Sequence, residues 1–142
     1  NELADKMLQR IARDENHHML FYRNLVKKAL DIAPNQMMAA IRDEVMSFKM
    51  PGSNIDGFQV RALQIANAGI YDLERHLEEV VLPVLQQWKI FERDFSGYGA
   101  DARDDLGDFI GKLRQDANRF NDKRDSGRLA KTIETLQRRD QT

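Results

Sequence analysis

The sequence predicts an all-α protein, a bundle of helices packed side by side. Apolar residues recur at spacings of three and four along most of the 142 residues, which is the period of an amphipathic helix. No stretch alternates β-branched and polar residues in the manner of a half-buried strand. Turn-forming residues interrupt the helical pattern at only a few places, so the predicted helices are long.

Proline positions set the first helix boundaries. The first helix is predicted from about Glu2 to Ile32 and ends at Ala33, because the residue before a proline is pushed out of the helical region. Pro34 can open the second helix, which stops at Met50-Pro51-Gly52. A third helix is expected over about residues 58–68.

Capping, proline and turn residues also predict the helix boundaries in the second half of the chain. Asp72 is a suitable N-cap for a fourth helix, whose apolar stripe continues past Pro83 with a kink, because proline removes one backbone hydrogen bond. The turn Ser96-Gly97-Tyr98-Gly99 precedes another amphipathic helix. Beyond it the apolar residues thin, so residues 126–142 are expected to form a weakly apolar helix or a tail.

The composition excludes several classes of protein. With 22 basic and 23 acidic residues the formal charge is -1, which argues against a general nucleic-acid binder. No apolar run approaches the about 20 residues of a membrane-spanning helix, so no membrane span is expected. Cysteine is absent, which leaves three histidines and the carboxylates as the plausible metal ligands.

Two polar residues interrupt the apolar stripe of the first helix. Glu15 follows Ile11 by four positions and His18 precedes Tyr22 by four, so both are expected on the inward face. A buried carboxylate persists only with a partner. The spacing Glu-x-x-His is the repeating unit of di-iron sites in four-helix bundles, where two other helices contribute one Glu each. A plain hydrogen-bonded Glu–His pair without metal remains open as the alternative.

A second pair has the same spacing on the fourth helix. His76 and Glu79 flank the apolar stripe there and do not lie on it. An ordinary surface pair is therefore favoured over a metal site at this position.

Four short motifs occur in a fixed order along the chain. They are IARDENHHMLFY at 11–22, SFKMPG at 47–52, AGIY at 68–71 and VLQQWKI at 84–90. In this order they resemble the soluble acyl-[acyl-carrier-protein] desaturases, the stearoyl-type fatty-acid desaturases of the ferritin-like di-iron family. The first motif is similar to the second iron-ligand motif of that family, Asp-Glu-x-x-His. The resemblance covers about residues 5–125 and is closer to actinobacterial members than to plastid ones.

The resemblance implies a role for each matching residue. Glu15 and His18 would be ligands of one iron, with Glu15 bridging to a second. Asp14 would accept a hydrogen bond from a histidine of the other half-site and orient it. His17 stands where the family has a basic residue, which leaves open which imidazole binds. Spacing favours His18, because His17 points about 100° away around the helix.

The resemblance also implies that ligands are missing. The first Glu-x-x-His of the family and its two single Glu ligands precede the matched region. Residues 1–125 are therefore expected to be the C-terminal part of a ferritin-like di-iron desaturase domain, and the chain alone to be inactive.

For the intact enzyme, the resemblance implies a bacterial, cytoplasmic acyl-carrier-protein desaturase that acts in fatty-acid biosynthesis. It would use two irons, dioxygen and a ferredoxin-type electron donor to place a double bond in a carrier-bound acyl chain, and it would be a homodimer. The alternative from another class is a non-catalytic helical interaction module. In that case Glu15 and His18 form a structural pair only.

Overall fold

The computed structural model of the protein describes residues 1–139, and these residues form helices and turns without a strand. The all-α prediction is confirmed, and the architecture is consistent with part of a ferritin-like helical bundle. In chain order the helices are α1 (Glu2–Ile32), α2 (Pro34–Ser47), α3 (Phe58–Asn67), α4 (Leu73–Arg75), α5 (Leu82–Gln87), α6 (Tyr98–Asp125) and α7 (Arg128–Arg139). Among residues 1–139, no helix combines the length and apolarity needed to cross a membrane.

Two helix starts carry a side-chain cap, and a third begins at a proline. The Asn1 side chain accepts a hydrogen bond of 3.1 Å from the Leu3 N–H at the start of α1. Pro34 opens α2, as expected for a residue that has no N–H to leave unsatisfied. Asp72 caps α4 by accepting a 2.9 Å hydrogen bond from the Arg75 N–H. Local sequence signals therefore place these boundaries correctly.

A π-helical turn, His76–Val81, joins α4 to α5 immediately before Pro83. Within it the Leu82 N–H donates to the Leu77 carbonyl, one residue further back than in an α-helix. Where the sequence predicts a kink at Pro83, the structure places a wider π-helical turn just before the proline.

The core lies between α2 and α6. Met38 and Ile41 of α2 are buried together with Leu106 and Ile110 of α6. The π-helical turn and the end of α1 complete this cluster, whose buried members are Leu30, Met38, Ile41, Leu77, Leu85, Ile90, Ala102, Leu106 and Ile110. Burial of each large side chain stabilises the fold by about 1.5–3 kcal/mol.

The first turns of α2 and α6 are in direct backbone contact. Gly99 is buried, and a Cβ atom at this position would lie 2.8 Å from the Asn35 Cα. The Asn35 side chain donates to the Ser96 hydroxyl and accepts from the Ser96 N–H, both at 3.1 Å. Only glycine allows this approach, so residue 99 fixes how closely the two helices pack.

Trp88 attaches α1 to the segment that follows α5. Its indole N–H donates a 2.9 Å hydrogen bond to the Arg23 carbonyl in the second half of α1. Arg93 reinforces the junction, since it donates to the Trp88 carbonyl at 2.8 Å and to the Asp31 carboxylate at 2.9 Å. These contacts hold the C-terminal third of α1 against the rest of the molecule.

The last helix packs on α3 and α6 through Leu129 and Ile133, which are both buried. Of the two forms expected for this part of the chain, the structure shows the helix for Arg128–Arg139. Residues 140–142 lie outside the described residues.

Substituting Gly99 tests the contact between α2 and α6. We expect Gly99→Ala to lower the free energy of unfolding by about 1–3 kcal/mol, because the added methyl group overpacks against Asn35. Gly111→Ala is the matched control in the same helix, where a Cβ has no neighbour within 4 Å. It should raise stability by about 0.5–1 kcal/mol, since alanine favours the helix. Urea unfolding followed by circular dichroism measures both, and equal stabilisation by the two substitutions would contradict the contact.

Candidate functional site

Glu15 and His18 lie one turn apart on the same face of α1. The His18 Nδ1 is 3.8 Å from the nearer Glu15 carboxylate oxygen, beyond a direct hydrogen bond but close enough for both to reach one ligand. The His18 side chain is 67% exposed, and the Glu15 side chain is 72% exposed. The structure therefore brings the two predicted residues together, with both side chains accessible.

The expected inward orientation of this pair is wrong for the part of the chain that the structure describes. The apolar residues of the same stripe are uncovered as well, with exposed fractions between 45% and 78%. They are Leu3, Met7, Leu8, Ile11, Met19, Tyr22 and Leu25. Helical spacing predicted the stripe correctly, but no element among residues 1–139 packs on its N-terminal two-thirds. Because the Glu15 carboxylate stays in contact with water among the described residues, it does not need a partner to remain charged.

Asp14, which precedes Glu15, and His17, which precedes His18, are exposed too. The Asp14 carboxylate lies 4.0 Å from the Arg10 Nε, one turn back along α1. None of the hydrogen bonds that the structure gives among residues 1–139 joins Asp14 to a histidine. His17 lies on α1 next to His18, and the structure does not decide between the two imidazoles.

The donor types of the pair fit iron, but their number does not complete a site. Carboxylate oxygen and imidazole nitrogen are the protein ligands typical of non-haem iron. Within residues 1–139, no group of three or more His, Cys, Asp or Glu side chains lies close enough together to hold a metal ion. Glu15 and His18 can supply two donors, so an iron site built on this pair would need further donors.

His76 and Glu79 do not form a comparable pair. The Tyr71 hydroxyl lies 2.8 Å from the His76 Nδ1, and the imidazole stacks on Phe48 with ring centroids 5.0 Å apart. Glu79 instead lies 3.9 Å from the Arg75 guanidinium. Burial lowers the pKa of His76 below the ordinary histidine value of 6.5, because the charged imidazolium loses water.

Sequence reasoning missed an apolar cavity beside His76. Phe48 and Tyr71 line it, and they come from the SFKMPG and AGIY motifs. The sequence signal was the presence of aromatic residues in both loops. It could not show that segments so far apart in the chain enclose a common space.

The lowered pKa of His76 predicts a pH effect on stability. Between its folded pKa and 6.5 the unfolded chain binds more protons, so the free energy of unfolding should fall as the pH drops through that window. The contribution of His76 is fully present above pH 6.5. NMR titration of the imidazole C–H shifts, assigned with His76→Gln, measures the pKa directly. A His76 pKa at or above 6.5 would contradict the burial argument.

Comparison with known proteins gives consistent results. The model of the fatty acid desaturase family matches residues 1–136. The Mycobacterium tuberculosis protein named "Putative acyl-[acyl-carrier-protein] desaturase DesA1" is 44% identical over 119 residues, which cover 83% of this chain and 35% of that protein. "Putative acyl-[acyl-carrier-protein] desaturase DesA2" of the same organism is 29% identical over 82 residues, covering 58% of this chain and 30% of that protein. No solved structure matches the chain significantly.

The match therefore spans about a third of the length of these curated relatives. It confirms the resemblance to actinobacterial desaturases, which rested on four short motifs. Because the family model covers nearly all of the chain, Glu15 and His18 included, the chain belongs to the fatty acid desaturase family.

Proposed function

We propose that this chain is part of an acyl-carrier-protein desaturase that introduces a double bond into a carrier-bound fatty acyl chain. The observation that carries the proposal is the Glu15–His18 pair, 3.8 Å apart on one face of α1, within the region that matches the family. Glu-x-x-His on a helix is half of the ligand set of a carboxylate-bridged di-iron site. The names of the mycobacterial relatives support the choice of substrate.

In this proposal Glu15 and His18 would hold iron through carboxylate oxygen and imidazole nitrogen. Asp14 accepts a hydrogen bond from a histidine of the other half-site, and His17 is the alternative imidazole ligand. A further Glu-x-x-His and two single Glu residues complete the set. These residues would lie on helices that cover the apolar face of α1, which explains why that face is exposed among residues 1–139.

When bound, iron supplies the activation of dioxygen that the cleavage of an unactivated C–H bond requires. Removing two hydrogens from adjacent methylene groups while dioxygen becomes two waters consumes two further electrons and two protons. The proposal therefore includes a ferredoxin-type electron donor.

The side chains around the pair have a role of their own. Ile11, Met19 and Tyr22 surround Glu15 and His18 on the same stripe of α1. Once covered by other helices, these side chains would exclude water from the site and hold an alkyl chain against it. The same proposal places the enzyme in the bacterial cytoplasm as a homodimer that binds acyl-acyl carrier protein.

Iron content of the protein encoded by the complete reading frame tests these roles. We expect two irons per chain, and we expect Glu15→Gln or His18→Gln to remove iron and reduce desaturation of the carrier-bound acyl chain by more than about 100-fold. His17→Gln is the matched control, with the neighbouring residue and the same substitution, and should retain both irons. Asp14→Asn should weaken iron binding by about 10–100-fold, because Asp14 orients a histidine ligand and does not itself bind the metal.

Two results would contradict the assignment. If His17→Gln loses iron and His18→Gln keeps it, His17 is the ligand. If the folded protein binds no iron at any concentration tested, the Glu15–His18 pair is structural and the chain is an interaction module. Circular dichroism of each variant separates loss of iron from loss of fold.

A further inference from the structure

The Tyr71 hydroxyl and the His76 imidazole form a hydrogen-bonded pair at the edge of the apolar cavity. The phenolic oxygen lies 2.8 Å from the His76 Nδ1, and both side chains are partly buried. A phenol that loses an electron becomes a strong acid and cannot keep its proton. A base within hydrogen-bonding distance therefore makes a tyrosine easier to oxidise, because proton and electron can leave together.

Neighbouring contacts fix the geometry of this pair. Phe48 stacks on the imidazole, with ring centroids 5.0 Å apart and an interplanar angle of 14°. Asp72, directly after Tyr71, caps α4 and lies 3.1 Å from the Arg124 guanidinium. His76 itself begins the π-helical turn. The two rings are thus held in place by contacts that do not involve the hydroxyl or Nδ1.

The shared proton belongs to the phenol at neutral pH. Burial raises the pKa of Tyr71 above its ordinary value of 10.0, and the nearby Glu79 carboxylate acts in the same direction. Burial lowers the pKa of His76 below 6.5. The arrangement that satisfies both neutral groups without water has the hydroxyl donating to Nδ1 and the imidazole proton on Nε2. Nδ1 is therefore unprotonated and in position to receive the phenolic proton.

The other readily oxidised aromatic side chains lack such a base. The chain has three tyrosines and one tryptophan. Tyr22 and Tyr98 are exposed, and neither hydroxyl has a hydrogen-bond partner among the described residues. The Trp88 indole donates to the Arg23 carbonyl, which is too weak a base to take up a proton. Tyr71 is thus distinguished by its proton acceptor.

We propose that Tyr71 is a redox-active tyrosine, which gives one electron to a high-potential outer-sphere oxidant while its phenolic proton moves to the His76 Nδ1. The O–H bond of Tyr71 breaks and an N–H bond forms at Nδ1. The products are a neutral tyrosyl radical, an imidazolium and the oxidant reduced by one electron. One electron from a reductant such as ascorbate reverses both transfers.

The surroundings of Tyr71 suit this role. The cavity lining is mainly apolar, with Phe58, Leu63 and Leu113 among its members, and this lining shields the radical from polar solutes. Partial exposure of the ring keeps it within reach of an oxidant in solution. In a protein that handles dioxygen, as proposed above, such a side chain gives a stray oxidising equivalent a defined location outside α1. The proposal itself does not depend on iron.

Flash photolysis of the iron-free 142-residue chain, with a ruthenium tris-bipyridine sensitiser and a cobalt(III) quencher, tests the proposal. Photogenerated ruthenium(III) is the outer-sphere oxidant, and EPR of freeze-trapped samples should show a neutral tyrosyl radical. Tyr71→Phe removes only the hydroxyl and should eliminate most of that signal. Tyr98→Phe is the matched control, the same substitution at an exposed tyrosine, and should retain it.

Two kinetic measurements test the role of His76. Oxidation of the unsubstituted chain should be slower in deuterated water, because the phenolic proton is exchangeable and moves in the same step. This measurement does not depend on the folding of a variant. His76→Gln should slow the oxidation of Tyr71 by about 100-fold, the contribution typical of a positioned general base. Circular dichroism shows whether each variant is folded.

Three results would overturn the proposal. Tyr71→Phe could yield as much tyrosyl radical as Tyr98→Phe, or the trapped radical of the unsubstituted chain could lie on Trp88. Oxidation could also proceed at the same rate in deuterated water and in folded His76→Gln, in which case the imidazole is not the proton acceptor. Because the chain is iron-free in these experiments, none of these results bears on the iron assignment of Glu15 and His18.

Discussion

The close approach of α2 and α6 is the constraint on which the rest of the structure depends. Because Gly99 has no side chain, the backbone of Asn35 packs directly on the first turn of α6, and the Asn35 amide then holds Ser96 in place. The two helices bury Met38 and Leu106 in the same core cluster. The π-helical turn, α5 and the C-terminal end of α1 assemble around that pair of helices, and α7 packs on the far end of α6.

The same arrangement leaves two apolar surfaces of different shape, an exposed helix face and a cavity. The N-terminal two-thirds of α1 is an exposed apolar stripe that carries one polar pair, Glu15 and His18. The cavity lined by α2, α3, α4 and α6 is a concave apolar space with a polar corner, where the Tyr71 hydroxyl lies 2.8 Å from the His76 Nδ1.

Local signals in the sequence predicted much of the fold, because helix starts and stops are decided by neighbouring residues. Pro34 and Asp72 act within one turn of helix, and their effects were predicted correctly. The orientation of Glu15 was not predictable in this way, since periodicity identifies a stripe but not what covers it. The contact at Gly99 and the cavity both depend on segments that are distant in sequence, and no local pattern encodes such distances.

The most direct test of the central claim is an anomalous-difference map, recorded at the iron edge, from crystals of the iron-loaded protein encoded by the complete reading frame. The account predicts two neighbouring iron peaks, one of them bound by the Glu15 carboxylate and the His18 imidazole, with the apolar stripe of α1 covered by other helices. Iron peaks bound entirely by other residues, or a covered α1 face whose Glu15 and His18 bind only each other, would contradict it.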